Sequence, residues 1–150
     1  MSVFQNMGIT SSALTTQRLR MDTIASNMAN IDTTRGQYIN GEWQPYTRKM
    51  VVMQPQASSF SSQLNLAVGR QAQQLNGVKA TKIVEDDSPY RLEYNPDHPD
   101  ANEDGYVELP NVDPLKEMVD LISATRSYEA NVTVFDASKS MYLKALQIGK

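Results

Sequence analysis

The longest segment without glycine or proline begins directly after Pro114 in the stretch DPLKEMVDLISATRSYEANVTVFDASKSMYLKALQI, residues 113–148. The stretch opens on Asp113 and Pro114, a favourable N-cap followed by a proline at the first helical position. Glycine and proline are then absent from Leu115 to Ile148. Apolar side chains recur there at helical spacing but on more than one face, which favours a helix covered on more than one side; a simple two-helix hairpin with an imperfect seam is the alternative. The pattern predicts a single helix to about residue 147, roughly 50 Å long.

A second uninterrupted segment lies near the other end, because residues 9–35 also lack glycine and proline. It predicts a helix from about residue 11 to 31 with one polar position in a heptad-type seam. The seam consists of Leu14, Gln17, Met21, Ile24, Met28 and Ile31. Long isolated helices are marginal in water, so we expect the two to pack as an antiparallel, coiled-coil-like pair and against other chains.

The centre of the chain has a different composition, since all seven prolines lie between Pro45 and Pro114. Short alternating runs there predict strands, and the Gln- and Ser-rich residues 54–76 predict a flexible insert. The expected fold class is α+β. Its parts are an N-terminal assembly helix (1–35), a small β-rich middle domain (36–112) and a C-terminal assembly helix (113–150).

Composition excludes several functional classes. The chain has a net charge of −3 and no cysteine, which rules out disulfide and thiolate sites. No segment carries the basic stripe that nucleic-acid binding needs, and the longest apolar run, Met50–Met53, is far short of the ~20 residues that span a bilayer. The first residues resemble no signal peptide. Leu, Ile, Val and Phe make up about a fifth of the chain, a lean content that favours a core completed by partners.

One loop has the composition of a metal site. Asp100, Asn102, Asp104 and Gly105 match the first half of a calcium loop, but Asn111 stands where a glutamate should follow. A turn-rich acidic loop is the alternative interpretation. His98 is the only histidine, and the chain lacks a nucleophile motif and a phosphate-binding glycine loop. We therefore expect no enzymatic activity, no cofactor and no resident metal.

Two terminal motifs are familiar. Residues 18–34, RLRMDTIASNMANIDTT, resemble the N-terminal signature of the bacterial flagellar rod and hook proteins, and residues 128–131, YEAN, resemble their C-terminal signature. Further matches make the chain most similar to the proximal rod proteins among them: PYTRK (45–49), YNPDHPDA (94–101), GYV (105–107) and PNV (110–112). Another rod or hook protein of the same axial family, or a calcium-binding module at residues 100–105, remains the alternative.

The resemblance implies a structural subunit of the flagellar basal body. Such a subunit would assemble with itself and with other rod proteins into a helical shaft that transmits motor torque to the hook and filament. It would leave the cytoplasm through the flagellar type III export apparatus without a cleavable signal peptide. The terminal helices would form the inner tube and the middle domain would face outward, with no nucleic-acid partner and no membrane insertion.

We expect both helices to carry the assembly interface. Asn27 and Asn30 fall off the first seam, so lateral hydrogen bonds to a neighbouring chain are expected of both, with helix C-capping as the alternative for Asn30. The expected interface residues are Leu14, Met21, Ile24, Asn27, Met28, Asn30 and Ile31 in the first helix, and Leu115, Met118, Ile122, Tyr128, Glu129, Asn131, Val132, Leu143 and Leu146 in the second.

Overall fold

A computed structural model describes residues 3–39, 41–56, 64, 68 and 76–148. Two long helices, α1 (Val3–Ala29) and α2 (Pro114–Ile148), bracket a series of short strands. The strands are β1 (Gln37–Ile39), β2 (Glu42–Gln44), β3 (Lys49–Pro55), β4 (Val78–Glu85), β5 (Arg91–Tyr94) and β6 (Tyr106–Leu109). The expected α+β class is confirmed.

The two predicted helices are present with one change of boundary. Helix α2 begins at Pro114, where the Asp113 carboxylate accepts a hydrogen bond from the Leu115 amide (2.9 Å) as an N-cap does. Helix α1 begins at Val3, earlier than expected. Strand β3 runs to Pro55, so residues 54 and 55 are strand rather than insert. Most of the expected flexible insert lies outside the described residues.

The strands form separate two-stranded pairs: β1 with β2, β3 with β4, and β5 with β6. The β1–β2 hairpin is antiparallel and pairs Ile39 with Glu42 next to its turn. Gly41 in that turn has φ +95°, a value that favours glycine. The β5–β6 hairpin is also antiparallel and pairs Arg91 with Leu109.

The chain divides into two compact units, and each contains part of both helices. Unit 1 comprises Met1–Leu19, Val52–Lys82 and Ala124–Lys150, and unit 2 comprises Arg20–Val51 and Ile83–Ser123.

In unit 1 the start of β4 is held by polar side chains of α1. The Val78 amide donates a hydrogen bond to Ser12 Oγ (3.2 Å), and Thr16 Oγ1 reaches the Val78 carbonyl at 3.5 Å. Ala124, Thr16 and Ser138 are buried in this unit.

Unit 2 has a mixed apolar and polar interior. Ile24, Val107 and Val112 are its buried aliphatic residues. Beside them lie buried Asn27, Arg48 and Glu117. Because a buried polar group is costly unless it is hydrogen-bonded, the partners of these three side chains determine how stable this unit is.

Candidate assembly surface

Helix α2 exposes apolar side chains along most of its length. Leu115 is 73% exposed and Ile122 is 59% exposed. Other exposed apolar residues of this helix are Met118, Val119, Val134, Met141, Leu143, Leu146 and Ile148. Scattered surface leucines are common in soluble proteins, whereas an apolar series along one long helix is typical of an interaction surface. This is the arrangement expected of a helix with several uncovered faces.

The predicted interface residues of α1 have different environments. Leu14, Met21, Met28, Asn30 and Ile31 are half-buried. Among the predicted α2 residues, Tyr128, Asn131 and Val132 are half-buried, whereas Glu129, Leu143 and Leu146 are exposed. Asn131 donates a hydrogen bond from Nδ2 to the Ser127 carbonyl of its own helix (2.8 Å).

Ile24 and Asn27 are exceptions, since both are buried within unit 2. Inside its own chain the Asn27 amide group donates two hydrogen bonds and accepts two, and its expected bond to a neighbouring chain stays a prediction. Asn30 follows the C-cap alternative: its Nδ2 donates to the Ser26 carbonyl (2.9 Å) and its Oδ1 accepts from Thr33 Oγ1 (3.2 Å).

Asn27 on α1 is hydrogen-bonded to the first residue of β3. Its Oδ1 accepts hydrogen bonds from the Lys49 amide (2.9 Å) and the Tyr46 hydroxyl (3.0 Å). Its Nδ2 donates to the Lys49 carbonyl (2.8 Å) and to Glu117 Oε2 (3.1 Å). The side chain thus pairs with both backbone groups of one strand residue, as a neighbouring strand would. Only an amide of this length supplies both a donor and an acceptor at that spacing.

Glu117 and Arg48 form a buried ion pair beside Asn27. Glu117 has no exposed surface and Arg48 is 6% exposed. Arg48 Nε donates to Glu117 Oε1 at 2.6 Å, while the other Glu117 oxygen accepts from Asn27. Two charges can be buried at tolerable cost when their remaining hydrogen-bonding capacity is also met. Each Glu117 oxygen accepts a hydrogen bond, so the carboxylate satisfies that condition.

Further polar contacts extend this pair into what we call the Arg48 network: Asn27, Arg48, Asp86, Glu117 and Asp120. Arg48 Nη1 contacts Asp86 Oδ2 at 3.1 Å and Nη2 lies 3.6 Å from Asp120 Oδ2. Burial by itself lowers the pKa of Arg48, but its hydrogen bonds and charge interactions with Glu117 and Asp86 outweigh that effect and raise the pKa above its usual value. The guanidinium is therefore permanently charged.

Asp86 is oriented from two directions. Its Oδ1 accepts from Ser88 through both the hydroxyl (2.5 Å) and the backbone amide (3.1 Å), and Oδ2 contacts Arg48. The Ser88 hydrogen bonds, followed by the Arg48 interaction, hold the pKa of Asp86 below its ordinary value of 3.8 against the opposing effect of burial. Asn111 also contacts Arg48, since its Oδ1 accepts a hydrogen bond from the Arg48 backbone amide (2.8 Å).

Within unit 2, α1 and α2 meet through two polar contacts. Arg20 Nη2 lies 3.0 Å from Asp120 Oδ1, and Asn27 Nδ2 lies 3.1 Å from Glu117 Oε2. Each of these contacts joins a side chain of α1 to a carboxylate of α2.

Sequence reasoning missed the importance of Arg48 and Glu117. Arg48 belongs to the PYTRK motif but carries no periodic signal. Glu117 is an acidic residue, and an acidic residue on a helix ordinarily faces water. The only sequence feature that pointed to Arg48 and Glu117 was their position within or beside the family motifs.

In the acidic loop, Asp100 and Asn102 bond to protein groups. Asp100 accepts hydrogen bonds from Thr34 Oγ1 (2.8 Å) and Arg35 Nε (2.8 Å). Arg35 and then Thr34 lower the pKa of Asp100. Asn102 Oδ1 accepts from the amides of Asp104 (3.1 Å) and Tyr106 (2.8 Å), which is turn chemistry. Within the described ranges, no three His, Cys, Asp or Glu side chains are grouped as metal ligands. None of the helices described could cross a membrane.

Two family models match the segments that contribute the helices. The model described as flagella basal body rod protein matches residues 7–36, and the model described as flagellar basal body rod FlgEFG protein C-terminal matches residues 103–148. Asn27 lies in the first matched segment and Glu117 in the second. The expected likeness to flagellar basal-body rod proteins is thereby confirmed.

Full-length relatives narrow the assignment. The chain is 58% identical to the flagellar basal-body rod protein FlgC of Bacillus subtilis across the whole of both chains. It is 40% identical to FlgC of Borreliella burgdorferi over 99% of this chain and 98% of that one, and 39% identical to FlgC of Salmonella typhimurium over the whole of both. The chain belongs to the FlgC family of flagellar basal-body rod proteins.

Proposed function

We propose that this chain is a structural, non-enzymatic subunit of the proximal rod of the flagellar basal body. It assembles with copies of itself and with other rod proteins into the helical shaft that carries motor torque to the hook and filament. The observation that carries the proposal is the exposed apolar series of α2 in a chain of the FlgC family. Leu115, Val119 and Ile122 are each more than half exposed.

Covering these side chains would drive assembly. Complete burial of one aliphatic side chain is worth about 1.5–3 kcal/mol, so a few such residues outweigh a large part of the entropy lost on association. A shaft requires contacts in which different surfaces of successive subunits meet, because such heterologous contacts continue instead of closing. Apolar groups on several faces of α2 meet that requirement.

We further propose that α1 and α2 pair in antiparallel, coiled-coil-like fashion in the assembled rod. The opposed contacts of Arg20 with Asp120 and of Asn27 with Glu117 support this orientation. The proposed division is into assembly helices at 1–35 and 113–150 and an outward middle domain at 36–112. The interface would use the predicted residues of both helices, with Ile24 and Asn27 acting from inside the subunit.

The Arg48 network suits a part that bears torque. Glu117 and Asp120 on α2 share one guanidinium, and Asn27 on α1 bonds to Glu117 and to the β3 backbone. Separating these elements would expose buried charge without a partner, which is strongly unfavourable. The network would therefore keep this unit rigid while the exposed faces of α2 bond to neighbours. Before assembly, the subunit would be exported unfolded through the flagellar type III apparatus.

The proposal is tested by deleting the gene and complementing the strain with variants. We expect the deletion strain to lack flagella and the wild-type gene to restore swimming. Ile122→Asn should fail to restore swimming while the purified variant keeps its helix content, because Ile122 is exposed in the free chain. Ser123→Asn, at the adjacent exposed position, is the matched control and should restore swimming. A deletion strain with normal flagella would contradict the proposal.

A further inference from the structure

In unit 2 the apolar face of α2 points away from the interior. Four apolar residues of this helix occupy positions i, i+3, i+4 and i+7, which share one face. They are Leu115, Met118, Val119 and Ile122, and we call them the apolar stripe. All four are exposed, from 49% at Met118 to 73% at Leu115. A surface helix ordinarily turns such a stripe toward the core, so the orientation of α2 needs a cause.

The opposite face of the same segment carries charge. Glu117 is two residues away from both Leu115 and Val119, and that separation places side chains roughly 200° apart around a helix. Glu117 has no exposed surface. Asp120, three residues further on, is half-buried and lies 3.6 Å from Arg48. This part of α2 therefore turns carboxylates inward and aliphatic groups outward, the reverse of an ordinary amphipathic helix.

Burial alone would favour the opposite rotation of the helix. Removing the apolar stripe from water is favourable, whereas an unpaired carboxylate in the interior is costly. The interior of unit 2 already holds buried aliphatic residues, namely Ile24, Val107 and Val112. The partners of Glu117 reverse this preference, because Arg48 Nε donates to one oxygen at 2.6 Å and Asn27 Nδ2 donates to the other at 3.1 Å.

We propose that Arg48 is a positioning residue that fixes the rotation of α2 in the free subunit. Its guanidinium contacts Glu117 and Asp120 on α2. A rotation that turned the apolar stripe inward would withdraw both carboxylates and leave the buried guanidinium short of partners, which is strongly unfavourable. Charge pairing inside the subunit thus displays an apolar surface that hydrophobic burial would otherwise hide. The inference rests on the proposed function, because the stripe belongs to the proposed assembly surface.

Cysteine labelling tests the orientation directly, since the chain has no cysteine of its own. Two reporters are introduced singly into the full-length chain: Val119→Cys in the apolar stripe and Leu121→Cys at a half-buried position on the inward side. A maleimide reagent modifies an accessible thiol faster than a shielded one. In the otherwise wild-type chain we expect Val119→Cys to react faster than Leu121→Cys.

Arg48→Met is the decisive perturbation, because it leaves Glu117 without its guanidinium partner. We expect the helix to turn until Glu117 reaches water. Val119→Cys should then react about tenfold more slowly, as it would if only about a tenth of the molecules kept the stripe outward, and Leu121→Cys should react faster. Unfolding would accelerate both reporters, so slower reaction at Val119→Cys is specific to rotation.

Two further variants complete the test. Arg91→Met is the matched control: the Arg91 side chain is 51% exposed in the same unit, and its replacement should leave both labelling rates unchanged. Arg48→Lys serves if Arg48→Met does not fold. Lysine keeps the charge but lacks the rigid fork with which the guanidinium contacts Glu117 and Asp120 together, so Val119→Cys should react about threefold more slowly.

Three results would overturn the inference. They are equal labelling of the two reporters in the otherwise wild-type chain, labelling of Val119→Cys that is unchanged or faster in the Arg48 variants, and the same slowing in Arg91→Met. The measurement uses the purified subunit and does not depend on the phenotype of the deletion strain. A non-flagellated deletion strain with unchanged labelling would preserve the rod assignment and reject the role of Arg48 alone.

Discussion

Replacing Glu117 by alanine should destabilise unit 2 more than any other single truncation on α2. The carboxylate has no exposed surface, and its two oxygens accept from Arg48 Nε at 2.6 Å and Asn27 Nδ2 at 3.1 Å. Its removal leaves a buried guanidinium and a buried amide each short of one partner. It also opens a small cavity where the side chain stood.

The magnitude follows from the contacts that remain. Breaking a buried ion pair from one side costs about 3–5 kcal/mol. Arg48 keeps Asp86 at 3.1 Å and Asp120 at 3.6 Å, so we expect a value near 3 kcal/mol. Glu117→Gln preserves the shape and one acceptor but removes the charge, and should cost about 1.5–3 kcal/mol.

Urea unfolding followed by tryptophan fluorescence is the appropriate assay. Trp43 is the only tryptophan and lies in the same compact unit as the Arg48 network, so its signal reports the unit that is perturbed. We expect a lower midpoint with an unchanged dependence on urea, since native surface area changes little. Glu129→Ala is the control on the same helix: its carboxylate is 60% exposed and 3.6 Å from Arg126, and its loss should matter by less than about 1 kcal/mol.

A double-mutant cycle isolates the pair itself. Arg48→Met and Glu117→Met should each be strongly destabilising, whereas the double variant should be less destabilised than the sum by about 2 kcal/mol or more, because no uncompensated charge remains. Additive effects, or a cost below about 1 kcal/mol for Glu117→Ala, would refute the assignment of Glu117 as the central acceptor of this network.

Three further variants probe neighbouring features, and each is measured by urea unfolding against wild type. The pKa of Asp86 is lowered in the folded state from 3.8 by Ser88 and Arg48. The contribution of this carboxylate to stability is therefore complete above that pH and is lost as the pH falls through the lower folded pKa. Asp86→Asn should make stability fall less steeply with acid, and an unchanged dependence of stability on pH would contradict the expectation. Gln17 Oε1 is buried without a hydrogen-bond partner among the described residues, so Gln17→Met should raise stability by about 1 kcal/mol, and a loss would show that the oxygen is satisfied. Gly105 has φ +80° and too little space beside the Tyr94 ring for a Cβ, at 3.0 Å; Gly105→Ala should therefore cost about 1–2 kcal/mol, and a neutral effect would argue against this turn.

Helix α2 shows how much of the fold follows from local pattern. Its start at Asp113 and Pro114 and its length follow from capping chemistry and from the absence of glycine and proline, both of which act over a few residues. Its exposed apolar residues were also expected, because a helix with apolar groups on several faces cannot cover them all within a small chain. The same local reasoning placed the start of α1 too late, since Gly8 does not prevent the helix from beginning at Val3; a single glycine costs only about 1 kcal/mol.

The partners of the Asn27 side chain could not be predicted from local pattern. Its position off the predicted seam suggested an outward side chain and a partner in another chain. Instead it lies 22 residues in sequence from Lys49 and 90 from Glu117, to which it bonds. A polar residue is classed as outward by periodicity because periodicity compares it only with its own helix. Periodicity takes no account of a hydrogen-bond donor or acceptor that another helix or strand places beside the residue.

Capping, helix-breaker placement and side-chain periodicity in the sequence are enough to specify two long helices, a strand-containing centre and an apolar helix surface awaiting partners. The family motifs add membership in the flagellar rod proteins. The meeting of Asn27, Arg48 and Glu117 depends on tertiary structure alone. Arg48 and Glu117 are 69 residues apart, and a buried pair of this kind is favourable only when both charges and their remaining hydrogen bonds come together at once. No short stretch of sequence contains that information.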